Sequence, residues 1–138
     1  MSQLEVDKVI PQSGTNLQIG EAGDTINLTT ATVNLPTGVG GTAWQAVKTA
    51  NFTAVAGEGY FVNTTGGVIT ATLPSSATIG NEVSIIDYAG TADTNNITIG
   101  RNGHNIQGAA SDMTVTTERA AFTLVYVDST QGWLLKDK

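Results

Sequence analysis

From Trp44 onward, apolar residues recur in short alternating runs separated by Gly, Asn, Asp and Ser at roughly ten-residue spacing, the pattern of strands with one buried face joined by turns. The alternation predicts strands over 44–48, 60–63, 68–73, 82–87, 97–100, 105–107, 113–116, 122–128 and 133–136. Thr64-Thr65-Gly66-Gly67 and Ser129-Thr130-Gln131-Gly132 read as hairpin turns, and residues 88–96, YAGTADTNN, as an exposed loop. Val62, Val68, Ile69, Leu73, Val83, Ile85, Ile97, Ile99, Ile106, Leu124 and Val125 form the expected core. No segment has a convincing helical period, a single turn around 43–50 aside. The fold class is therefore all-β, and the part from 41 to 138 is expected to be a compact antiparallel β-sandwich or barrel-like domain.

The pattern changes before residue 41. Leu17 and Ile19, Ile26 and Leu28, and Val33 and Leu35 form three apolar-polar-apolar units of period two. Gly20 to Asp24 supplies a turn between the first two. Forty residues with so few apolar side chains cannot build an independent core. Partner chains are the expected support, with packing onto the domain that follows as the alternative: several copies winding together would bring those six residues onto a common axis. Three copies suit a narrow apolar axis best. The Gly-rich run Thr37 to Thr42 separates this segment, 1–40, from the domain that follows.

Composition narrows the function classes. Thr, Gly and Ala predominate, and charged residues make up only 13%, less than a free-standing domain ordinarily carries for solubility. Part of the surface is thus expected to lie against other chains. The net charge of −6, with six Lys and Arg scattered singly, leaves no basic stripe for nucleic acid. The absence of cysteine excludes thiol catalysis and thiolate metal sites. The first residues, MSQLEVDKVIPQSG, lack the basic start and apolar run of a signal peptide, and no window is long and apolar enough for a membrane helix. The expectation is synthesis in a cytoplasm, without membrane insertion.

The stretch that most suggests chemistry is Arg101 to Gly108, RNGHNIQG, which holds the one histidine of the chain. Asn102-Gly103 favours the left-handed dihedrals of a two-residue hairpin turn, which places His104 just after a bend, on the surface. Catalysis there would need an orienting carboxylate and a nucleophile, and only Asp112 is near in sequence. The twelve Asp and Glu residues are spread singly, so no pair is marked for acid–base work. Asp87, Asp93, Asn95 and Asn96 are oxygen donors in one loop, but their spacing is not that of a calcium loop. Four Asn-x-Thr triplets follow from an Asn- and Thr-rich composition. No catalytic residue, metal ligand or cofactor site is assigned. Among the aromatics, most of which alternate with apolar residues as core, Tyr88 is the expected exposed one. With Asn95 and His104 it makes the short list of receptor-contact residues.

Two groups of residues carry a resemblance. The run VDKVIPQSG followed by Leu17, Ile19, Gly20, Gly23, Asp24 and Thr25 resembles a segment near the start of virion fibre proteins of tailed bacteriophages, especially those of marine cyanobacteria. GYFVNTTGGVITATLP, IDYAGT, NNITIGRNGHNIQG and VYVDSTQGW resemble a module of phage tail and fibre proteins. Together they cover most of the chain. The resemblance implies a homotrimeric β fibre whose short, intertwined, prism-like N-terminal segment docks or assembles. The β domain would be displayed outward, on a tail, collar or capsid. Its partners would be itself, other virion proteins and a host cell-surface glycan, with no catalysis. The chain departs from long tail fibres in having no extended shaft. A glycan-binding module at a fibre tip is the rival expectation; a polysaccharide depolymerase is disfavoured by size.

Overall fold

The computed structural model describes residues 41–137. The segment 1–40, and with it Leu17, Ile19, Ile26, Leu28, Val33 and Leu35, lies outside the described residues.

Nine strands follow one another: β1 (Ala43–Trp44), β2 (Phe52–Thr53), β3 (Glu58–Val62), β4 (Ile69–Thr72), β5 (Glu82–Asp87), β6 (Ile97–Gly100), β7 (Met113–Val115), β8 (Ala121–Asp128) and β9 (Gly132–Leu135). They form a five-stranded sheet, ordered β1-β3-β5-β8-β9, and a four-stranded sheet, ordered β2-β4-β6-β7. Up to β6 the chain changes sheet after every strand. Each strand's neighbour in its own sheet therefore comes one full coil later and runs parallel to it, as β1, β3 and β5 do in one sheet and β2, β4 and β6 in the other. Three stacked coils result. Antiparallel β7 then closes the smaller sheet, and the β8–β9 hairpin closes the larger.

Alternation along each strand sends one set of side chains between the sheets. Tyr60, Val62, Val83, Ile85, Leu124 and Trp133 enter from the larger sheet, and Ile69, Ala71, Ile97, Ile99 and Val115 from the smaller. Each Val, Leu or Ile among them, fully withdrawn from water, contributes about 1.5–3 kcal/mol. In the first coil the rings of Phe52 and Tyr60 lie 4.6 Å apart, and Lys48 Nζ stands 5.6 Å from both ring centres. The Tyr60 hydroxyl accepts from Val55 N–H (2.8 Å) and donates to the Glu58 carboxylate. Burial, reinforced by the bond to Glu58, pushes the Tyr60 pKa up to about 12.

The all-β class is as expected, but the strand directions are mixed, not antiparallel, and neither sheet closes into a barrel. Inward–outward alternation is the same whether neighbours run parallel or not, so it carries no information on direction. The decisive segment is 64–67. Instead of a hairpin, the Asn63 side chain accepts from Thr65 N–H (3.1 Å) and caps one 3-10 turn. The chain is thereby deflected into the opposite sheet.

Smaller corrections share a cause in local context. Residues 105–107 are not a strand; Ile106 makes only isolated bridges, to Ala109 and Trp133. Val68 is 59% exposed, one residue before β4 begins. Val125 is half-buried, because it faces away from the core. Strand β2 was not anticipated, since two residues are too few for a period to register.

Candidate functional site

The coil arrangement gives the stack two edges of turns. Those leaving the larger sheet pack on one another: Asn63 N–H donates to Lys48 C=O (2.9 Å), the Thr64 and Thr91 hydroxyls are 2.9 Å apart, and Asn95 Nδ2 donates to Thr64 C=O (2.9 Å). At the end of β4 and β6 a second group forms, where Asn102 Nδ2 donates to Leu73 C=O (2.8 Å) and His104 Nε2 meets Ser75 C=O at 3.0 Å. Tyr88 and Asn95 share the first group; His104 belongs to the second. The three residues predicted as receptor contacts are thus not brought together.

The first group is the more highly organised, and Asp87 organises it. The residue is 2% exposed, and its carboxylate accepts from four backbone N–H groups: Gly90 (3.1 Å) and Thr91 (3.4 Å) on Oδ1, Ala92 (3.2 Å) and Arg119 (3.0 Å) on Oδ2. Burial alone would raise its pKa, but the four donors outweigh burial and hold the carboxyl below its ordinary range. Asp-x-x-Gly is the sequence signal of such a side-chain-stapled turn, and Asp87-Tyr88-Ala89-Gly90 carries it. The loop 88–96 is therefore less exposed than expected, with Ala92 fully buried.

Arg119 completes this group and was not anticipated, because it is 32 residues from Asp87 in sequence. It adopts φ 57° and donates from Nη1 to Tyr88 C=O (2.7 Å). Its side chain crosses Gly90 so closely that a Cβ there would meet Nε at 2.6 Å. The result is a half-exposed aromatic ring, Tyr88 at 50%, whose backbone is clamped by a solvent-facing guanidinium. An apolar face with a nearby cation suits a planar or anionic polar ligand such as an acidic sugar.

Asp87 spends both oxygens on backbone N–H groups, so it is not free to join Asp93, Asn95 and Asn96 around calcium. Among the described residues no three His, Asp or Glu side chains gather as a metal-binding group, and no helix is long and apolar enough to cross a membrane.

No protein-family model matches the chain, and no curated protein matches it.

Arg101–His104 is a tight turn, as expected: Asn102 (φ 49°) and Gly103 (φ 91°) are both left-handed and His104 N–H donates to Arg101 C=O at 3.1 Å. It does not join a hairpin; β6 pairs instead with β7 beyond it. His104 is half-buried, its ring edge-on to Tyr126 at 5.0 Å, so it wedges a loop onto the core. Asp112 Oδ1 accepts from Arg101 N–H (2.9 Å) and is committed there.

A cleft of about 450 Å³ beside the first residues of β1, β3 and β5 gathers Glu58, Asn81, Glu82, Ser84 and Lys136. Each of its principal polar groups already has a partner: Tyr60 for Glu58, Lys136 for Glu82 (3.1 Å) and Thr123 for Ser84 (2.9 Å).

Proposed function

We propose that this chain is a structural fibre subunit of a tailed-bacteriophage virion, a homotrimer that attaches or decorates without turning over a substrate. The observation that carries the reading is the pairing of two unlike parts. A phage-like segment with too little apolar content to fold alone is joined through Gly38 to Gly41 to a β stack with its own core. Such a division suits a chain in which one end assembles and the other is presented. The stack supports this role by its construction. Its turns are stapled to one another by side-chain to backbone bonds, which favours a rigid displayed surface over an adaptable pocket.

The Tyr88–Arg119 group supports a second reading, a glycan-contacting module at a fibre tip. It offers a half-exposed ring and a cation on the edge that Asp87 staples.

The first reading is tested on particles. Antibodies against this chain should label purified virions of the phage that encodes it, at a fixed position on tail, collar or capsid. Presence in infected cells with absence from purified virions would contradict the proposal. Binding of the labelled full chain to host cells, lost in Tyr88→Ala, would favour the second reading over plain decoration.

A further inference from the structure

The two sheets present unlike faces to the outside. On the four-stranded sheet the outward rows are Thr70, Thr98 and Thr114, and Thr53 and Thr72, a hydroxyl surface suited to water. The five-stranded sheet is different. Its register sets Trp44 beside Gly59, Phe61 beside Ile86, and Val125 between Glu82 and Leu134 on the side away from the core. Trp44 is 48% exposed, stacks on Phe61 at 4.9 Å and lies flat over Gly59, where a Cβ would meet its ring at 2.5 Å. Phe61, Ile86, Val125 and Leu134 are each partly exposed. Five large apolar side chains on this side, interrupted by Gly59, Ser84, Thr123 and Glu82, are more than the threonine rows of the other sheet expose to water.

The geometry points to the outer face of the five-stranded sheet as the surface on which a second copy of this chain packs. This rests on the homo-oligomeric reading given above and says which face it uses. Two observations select a second copy as the occupant. The first is charge. Each chain carries −6 overall, so copies repel except through a neutral surface. In these rows the carboxylate of Glu82 is already paired with Lys136 across 3.1 Å, and the Ser84 and Thr123 hydroxyls bond each other. The face therefore carries no net charge: its polar side chains pair with one another among Phe61, Ile86, Val125 and Leu134, so an identical chain would meet no unpaired charge there. The second is the point of chain entry. Forty residues precede Gly41, and the chain comes in through Thr42 to Trp44, at the edge strand of this sheet. Trp44 thus stands on the edge strand by which the chain enters the stack in every copy.

The test uses the full chain. A photo-reactive benzoylphenylalanine placed at Ile86 should, on irradiation, give an SDS-stable product containing two chains. Capture of residues 1–40 of the same chain, or no capture at all, would overturn the assignment. Ile86→Lys and Val125→Lys should each weaken assembly roughly a hundredfold, because each would place an unpaired charge in an apolar contact. Thr98→Lys, on the threonine face, should leave the assembled mass unchanged. A wild-type chain that sediments as a single copy would remove the underlying homo-oligomeric reading. A multi-copy wild type whose two lysine variants assemble normally would remove only the choice of face.

Discussion

Replacing Trp133 by alanine is expected to lower the stability of the β stack by about 3–5 kcal/mol, the cost of emptying a large aromatic site in a packed core. Trp133 has no exposed surface and stands edge-on to Tyr126 at 5.5 Å, close to the turn that follows β6. Its backbone also holds that turn. Trp133 N–H donates to Asn105 C=O and its C=O accepts from Gln107 N–H, both at 2.9 Å. Those bonds survive the substitution. The indole N–H makes no hydrogen bond among the described residues, so the loss is one of volume and contact rather than polarity. Trp133→Phe, which keeps most of the ring, should cost less than half as much. Urea unfolding at one fixed protein concentration checks both, since assembly would otherwise shift the midpoint. A Trp133→Ala loss below about 1 kcal/mol would mean that the site collapses around the gap.

Asp87→Ala is expected to cost about 2–4 kcal/mol, because it strands four backbone donors that the carboxylate now satisfies, partly offset by water reaching the loop. Asp87→Asn retains the shape but sets an amide NH₂ against two of those donors, and should cost nearly as much. The two states of the group also fix a pH dependence. The native pKa lies below the ordinary value, about 3.9 for an unfolded chain, so the unfolded state binds the proton more readily. The stability contributed by Asp87 is therefore fully present above about pH 4 and is lost as pH falls through the native value. Wild-type stability should decline in that acid window, and Asp87→Asn should flatten the decline. An Asp87→Asn curve parallel to wild type would show that the carboxylate is not the titrating group.

Much of the β architecture was legible because alternation is written residue by residue. β5 and β6 run as their patterns indicate, Glu82–Asp87 and Ile97–Gly100, and the left-handed Asn102-Gly103 turn follows from the conformational freedom of those two residues. Strand partners were not legible. Val62 and Ile69 flank a short Gly-containing turn as hairpin strands would, yet a 3-10 turn capped by Asn63 lies between them and they belong to opposite sheets. The site was legible in part. Tyr88 stands exposed as its loop position suggested, but the Arg119 that clamps its carbonyl comes from a turn distant in the chain. His104 separates from Tyr88 and Asn95 because coils, unlike hairpins, divide successive turns between two edges. The apolar outer face of the larger sheet was also hidden. Val125 reads as core beside Leu124, and only the register reveals that it shares the side of Ile86 and Trp44.

Sedimentation equilibrium of the full, unmodified chain at micromolar concentration tests the account most directly. A homotrimer predicts a mass three times the 14.2 kDa of one chain, held across dilution. A stable species of one chain's mass at those concentrations would contradict it.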